Sequence, residues 1–338
     1  MSQQDLLDAA LSNNLERVEE LLQSGISIDC IGGDGLTPLI CAALQGHSKI
    51  AQTLVRAGAS LNLFAIHMRT PLIYAALQGH SEVAQILIDA RASLDFSPSN
   101  NLTPLCWAAR QGHTKVVQVL VEAGASLGKV GLFEQTPLYI AAGEGHSEVV
   151  RILFDMKASP DTPDSTGNTP LYAAARDGHS EVVRILVDMK ASPNTPNSTG
   201  NTPLFEAVTE GHSEVVRILV EAKAPLETFK FNDQNLLSLA IMRNYSEIVQ
   251  ILVEAGAWIY SCDKFDQTPW DLSSTRPKIR EILATSSYQH WRPEVHHLTK
   301  ESMQEDVRTI MTIWTCSEKT CLDHLPHEML FHIFNFLF

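Results

Sequence analysis

The sequence predicts an all-α solenoid: stacked helix–turn–helix repeats, each with a protruding turn, followed by a small C-terminal helical segment. Three observations carry that prediction. Thr-Pro occurs at Thr37-Pro38, Thr70-Pro71, Thr103-Pro104, Thr136-Pro137, Thr169-Pro170 and Thr202-Pro203, each step being 33 residues. The string GHSEVVRIL recurs verbatim at 145–153, 178–186 and 211–219. Between these anchors the apolar residues fall at i, i+3 and i+4, the spacing of one helix face.

Each part of the unit has a local reason. Thr accepts a hydrogen bond from an orphan backbone N–H at an N-cap, and Pro suits the first helical position, so Thr-Pro opens a helix. In the copy opening at Thr169, Leu171, Ala174 and Ala175 form one apolar stripe whose paired alanines let neighbouring helices approach closely. Gly178 ends that helix, as Gly does at C-termini. A second helix begins at Glu181, with Val182, Ile185 and Leu186 on one face. The polar turn SPNTPNSTGN then leads to the next Thr-Pro. A single unit cannot bury its own apolar faces, whereas stacked copies share a continuous core.

The 33-residue step extends in both directions. Forwards it reaches Asn235-Leu236, where the motif is degraded, and then Thr268-Pro269; backwards it reaches Gln4, which opens a recognisable first copy. Nine copies result. The pattern closely resembles the ankyrin repeat, whose TPLHxAA, GHxEVVxxLL and GAxxN hallmarks appear as TPLICAALQGHSKIAQTLVRAGASLN from Thr37 and in five further close copies. The resemblance covers residues 1–285; a polar connector at 286–302 and a C-terminal helical segment at 303–338 follow. The sequence departs from the family in two places. The usual His after TPL is Ile40, Ile73, Cys106, Tyr139, Tyr172 and Phe205, and the Gly expected after the second helix is Arg91, Lys157, Lys190 and Lys223. A side chain at positive φ costs about a kcal/mol, so the middle of the array is expected to be softer than a consensus one.

Composition narrows the function. The chain of 338 residues carries 25 Lys plus Arg against 39 Asp plus Glu, a net charge of −14. An acidic surface repels phosphate backbones and anionic membranes, so neither a nucleic acid nor a membrane is expected as partner. No apolar run approaches the roughly 18 residues that span a bilayer, and MSQQDLLDAALSNN lacks the features of a signal peptide. The six cysteines (30, 41, 106, 262, 316 and 321) follow no regular framework. Free thiols in an intracellular compartment are expected, the cytoplasm first and the nucleus as the alternative. No nucleophile–base pair, carboxylate pair outside the repeat register or phosphate loop appears, so no enzyme, no cofactor and a monomeric state are expected.

What the resemblance implies is a protein partner held in a groove lined by the first helices. Carried onto this sequence, the groove positions just before Thr-Pro and after the paired alanines are Leu36, Ile66, Arg69, Leu77, Leu102, Arg110, Leu132, Phe133, Glu144, Arg176, Asp177 and Glu210. Four residues after each Thr a further groove-facing position reads Cys41, Tyr74, Trp107, Ile140, Ala173 and Glu206. Tyr74, Trp107 and Ile140 form either a bulky exposed anchor for a partner or packing between adjacent first helices, burial being favoured for Ile140. His47, His80, His113, His146, His179 and His212 stand one per repeat, too far apart to gather around one ion. They are expected to hydrogen-bond at the helix–helix turn, and no metal site is expected.

The C-terminal segment is of another kind. Val307, Ile310, Met311 and Trp314 have helical spacing, and CLDHLPHEMLFHIFNFLF follows. Met329, Leu330, Ile333, Phe334 and Leu337 share one face, and Phe331, Phe336 and Phe338 make the helix apolar nearly all round, so it must dock on something. The stretch resembles the opening of an F-box, matching LPxELLxxIFxFL at Leu325, Pro326, Glu328, Ile333, Phe334 and Leu337 over about 17 residues. A SOCS box is the weaker comparison, since its Leu-x3-Cys helix is not clear in 303–314. Either resemblance implies docking to the linker subunit of a cullin-type ubiquitin ligase. The alternative is a pure scaffold or inhibitor whose last helix caps the array. Cys316, Cys321, His324 and His327 have a spacing that fits no common zinc finger.

Overall fold

The computed structural model describes residues 2–65, 68–97, 102–128, 131–226, 235–257 and 267–290, with 132 and 286–290 given by backbone alone. The C-terminal docking residues expected between Leu325 and Leu337, and Ile66 of the groove, lie outside the described residues. The chain divides into two compact units, Met1–Ser198 and Thr199 onward.

The first unit holds six helix pairs: α1 Gln3–Leu11 and α2 Leu15–Gln23; α3 Pro38–Gln45 and α4 Ser48–Arg56; α5 Pro71–Gln78 and α6 Ser81–Asp89; α7 Pro104–Gln111 and α8 Thr114–Glu122; α9 Pro137–Gly143 and α10 Ser147–Asp155; α11 Pro170–Arg176 and α12 Ser180–Asp188. First helices pack on first helices in sequence from α1 to α11, and second helices likewise from α2 to α12, giving two layers. The second unit repeats this with α13 Pro203–Glu210, α14 Ser213–Glu221, α15 Leu236–Met242, α16 Ser246–Glu254, α17 Pro269–Leu272 and α18 Pro277–His290. Nine helix pairs are present among the described residues. Helix α18 runs five residues past the array boundary expected at 285.

Local chemistry sets the helix ends. Thr37, Thr70, Thr103, Thr136, Thr169 and Thr202 each accept a hydrogen bond from the N–H three residues on, with Pro next in line. The degraded copy keeps the cap by other means: Ser238 N–H donates to Asn235 Oδ1 at 2.6 Å. Each second helix opens one residue earlier than expected, at Ser180 rather than Glu181, with His179 in the N-cap position. Burial follows the two layers. Pro38 to Ala43 and Pro71 to Ala76 are buried without interruption, since the first helices are enclosed on nearly every side. The second helices are amphipathic: Val149, Val150 and Leu153 face inward while Arg151 is exposed.

The histidines join successive copies. His80 Nε2 donates to the Leu44 carbonyl (3.2 Å), His113 to Leu77 (3.0 Å), His146 to Arg110 (2.9 Å) and His179 to Gly143 (2.8 Å). A carbonyl can only accept, so that ring nitrogen carries the proton. A second latch runs through the turns. The carboxylate of Asp29 accepts from Ser60 N–H (3.0 Å), Asn62 Oδ1 from Ser93 (3.0 Å), Asp95 from Ser126 (3.0 Å) and Asp161 from Ser192 (2.9 Å). The non-glycine residues noted after the second helices all sit at positive φ: Arg91 at 68°, Lys157 at 70°, Lys190 at 66° and Lys223 at 63°.

Candidate partner-binding surface

Trp107 is the centre of the first-helix layer of the first unit. It lies on α7, capped by Thr103, and packs against a buried cluster of Leu102, Cys106, Tyr139, Ile140 and Ala173. At the equivalent position of the neighbouring helices α3, α5, α9 and α11, Cys41, Tyr74, Ile140 and Ala173 are buried; among these five helices Trp107 is the residue that stays partly exposed, and on α1 the position is the exposed Asp8. The row expected to face the groove is thus mainly a packing row, because adjacent first helices approach closely enough to enclose it. Tyr74 and Leu102, expected at the groove, belong to the buried part of this layer. Tyr74 is 6% exposed, and Leu102 is covered by the backbone of Gly131, where any β-carbon would strike it.

Two arginines frame the indole. The Arg69 guanidinium, from the turn before α5, stands 4.6 Å from the Trp107 ring centroid and 5.9 Å from that of Tyr74. Arg110, in the last turn of α7, stands 5.7 Å from the Trp107 ring. Such cation–π contacts contribute about 0.5–1 kcal/mol at exposed sites. Arg110 also pairs with Glu144 at 3.4 Å across to the next repeat. Arg69 has no carboxylate partner among the described residues. The Trp107 Nε1–H is buried and meets no acceptor there either.

Around this centre Leu36 and Leu77 are half-buried and Phe133 is 67% exposed. Phe133 has φ 61°, a left-handed conformation that holds its ring outward, and its carbonyl accepts from Ser165 N–H at 2.8 Å. Leu132 lies in the same short 3-10 turn, Leu132–Glu134. Arg176 is occupied by its neighbour Asp177 through two hydrogen bonds of 2.9 and 2.8 Å. Glu206 and Glu210 belong to the second unit, on α13, where Asn201 Nδ2 donates to Glu206 at 3.5 Å. The structure therefore brings Arg69, Trp107, Arg110 and Glu144 together, and sets Arg176–Asp177 apart as a self-neutralised pair.

Two features escaped the sequence reading. Asp164, 7% exposed, accepts from Thr166 N–H (2.9 Å), Thr166 O–H (2.7 Å) and Asn168 N–H (2.9 Å). Tyr139 also donates to it, and burial with this acidic neighbour pushes the Tyr139 hydroxyl up to about 12. The signal was a Tyr in the usual His position of the repeat, followed by a DSTGN turn at 164–168. The other feature is apolar turn tips: Ile31, Leu63 and Phe64 are exposed, and Phe64 stacks on Phe96 at 6.0 Å. Cys30, Cys41 and Cys106 are buried free thiols, burial pushing Cys41 up to about 12 and Cys106 to about 11. Among the described residues no group of three His, Cys, Asp or Glu could hold a metal, and no helix is long and apolar enough to cross a membrane.

Two helical layers with a bare aromatic–arginine centre define a repeat-built interaction protein. A family model for ankyrin repeats matches residues 6–97, 64–130, 128–197 and 190–263. The chain belongs to the ankyrin repeat family. Among solved structures it is similar to the crystal structure of the human ASB11 ankyrin repeat domain, with a TM-score of 0.60 and 27% identity, covering 65% of this chain and 98% of that one. No curated protein matches the chain.

Proposed function

We propose that the array of residues 1–285 binds a protein partner through the first-helix layer around Trp107, and that the 303–338 segment delivers that partner to a cullin-type ubiquitin ligase. Ankyrin repeats bind protein partners; the choice of surface rests on one observation. Between buried Tyr74 on α5 and buried Ile140 on α9, Trp107 remains partly exposed beside two guanidinium groups. Aromatic and arginine side chains at the centre of a patch are the usual energetic anchors of interfaces. Support for the second half is the F-box-like run at Leu325, Pro326, Glu328, Met329, Leu330, Ile333, Phe334 and Leu337. The protein acts by binding, without catalysis of its own.

The test is a pull-down of the full-length chain with the F-box-type linker subunit, beside a variant carrying Ile333→Asp and Leu337→Asp whose helicity is confirmed by circular dichroism. Binding by the wild type that the variant loses is expected. No binding by the wild type, with a lower melting temperature in the variant, would leave a scaffold whose last helix caps the array.

A further inference from the structure

Resting on the proposed binding surface, we infer that the partner presents an acidic side chain, an Asp or Glu carboxylate within an otherwise apolar peptide segment, to Arg69 beside Trp107.

Charge is the first argument. The chain carries 39 acidic against 25 basic residues; Lys49, Arg56 and Lys115 also lack an ion-pair partner among the described residues, so what distinguishes Arg69 is an unpaired charge set on two aromatic rings. Arg151, Arg176 and Arg217 each have an acidic neighbour within 3.5 Å. Arg69 does not. Its guanidinium carbon lies 4.6 Å from the Trp107 ring centroid and 5.9 Å from that of Tyr74, which restrains the group while leaving it without a carboxylate partner among the described residues. An arginine held in this way is preorganised, and its planar fork matches a carboxylate with two parallel hydrogen bonds.

The surroundings decide which acid. Arg110 is already shared with Glu144, so one free positive charge is offered. That suits a singly charged carboxylate better than a phosphoryl group of nearly two charges. Exposed Phe133 and half-buried Leu77 supply apolar surface on the same unit.

The experiment selects phage-displayed random 16-residue peptides on the immobilised full-length chain, then measures the selected peptides by fluorescence anisotropy. Expected is a fixed Asp or Glu beside apolar residues, at least tenfold weaker binding when that acid is replaced by Ala, and a similar loss with Arg69→Gln. With Arg69→Glu, a peptide carrying Lys at the acidic position should bind better than the parent peptide. Peptides without an acidic preference, or indifferent to Arg69→Gln, would overturn the carboxylate assignment while leaving the binding surface standing. Selection of no peptide at all would count against the surface itself, and the assignment with it. The Ala replacement lies in the peptide, so that readout stands even if an Arg69 variant folds poorly.

Discussion

Gly46 and His80 occupy each other's space. The His80 ring lies over Gly46 so closely that a β-carbon there would stand 2.5 Å from His80 Nδ1, while the opposite ring nitrogen donates to the Leu44 carbonyl. Gly46 has φ 75°, so a side chain would be strained even without the ring. The same arrangement recurs at Gly79 with His113, Gly112 with His146 and Gly145 with His179. In the second unit Tyr245 covers Gly211 instead.

Gly46→Ala should therefore destabilise by about 2–4 kcal/mol, the left-handed backbone contributing about one and forced displacement of the ring the remainder. Urea denaturation followed by circular dichroism measures it. Placing His80→Ala in the Gly46→Ala background should recover part of the loss, because the steric component vanishes and only the hydrogen bond is missing. A fully additive double mutant would disprove the ring contact.

Lys157 and Lys190 take the conformation that Gly58 and Gly124 adopt in the equivalent turns, at φ 70° and 66° against 90° and 89°. Their side chains are exposed and the backbone geometry is demanded by the turn. Lys157→Gly and Lys190→Gly should each stabilise by about 0.5–1 kcal/mol, relief of the left-handed strain outweighing the added freedom of the unfolded chain. A higher denaturation midpoint with unchanged slope is the expected record; a lower one would mean the turn tolerates lysine without strain.

The architecture was legible because period and helix chemistry coincide: Thr-Pro caps, paired alanines and the Gly-His turn each recur every 33 residues. The cap at Asn235 was missed because an identity motif was sought where only an acceptor side chain is needed. The surface was less legible. Whether Tyr74 and Trp107 are buried depends on how closely adjacent first helices approach and on where the turns fold back, as Gly131 does over Leu102. Those distances are tertiary. The arginine pairing that separates Arg69 from Arg176 was likewise invisible, since it turns on an adjacent Asp177 side chain reaching back.

Contrast between the layers gives a further expectation. The Arg151–Glu181 pair joins two second helices at 2.8 Å, yet both side chains are about half-exposed or more. Glu181→Ala should change stability by at most about 1 kcal/mol, and less in high salt. Leu120 is fully enclosed between layers, and Leu120→Ala should cost about 2–5 kcal/mol. Thermal melts of the two variants at low and high salt check both; equal effects would contradict the layer assignment.

Asp164 gives the array an acid limit. Burial alone would push its carboxyl up, but hydrogen bonds from Thr166, Asn168 and Tyr139 outweigh it and hold the group below its usual 3.8. A depressed carboxyl binds its proton less readily folded than unfolded, so its stabilisation is complete above the unfolded value and lost as pH falls through the folded one. The melting temperature should thus decline below pH 3.8, and Asp164→Asn should start lower and decline less over that window. Parallel declines in both proteins would remove Asp164 from the account.

The turn latch predicts a gain at one position. Asp29, Asn62, Asp95 and Asp161 each reach a serine N–H of the following repeat, and the gap between Asp95 and Asp161 in that series is Gly128, which has no side chain to offer Ser159. Gly128 is not at positive φ, and a β-carbon there would meet nothing within 4 Å. Gly128→Asp should therefore restore the latch, adding a hydrogen bond of about 0.5–1.5 kcal/mol and restricting the unfolded chain besides. Gly128→Ala separates the two contributions, since it restricts the chain without supplying an acceptor. If Asp raises the denaturation midpoint clearly more than Ala, the carboxylate is latching; if the two are equal, the gain is backbone entropy alone and the turns are joined more loosely at this repeat than at its neighbours.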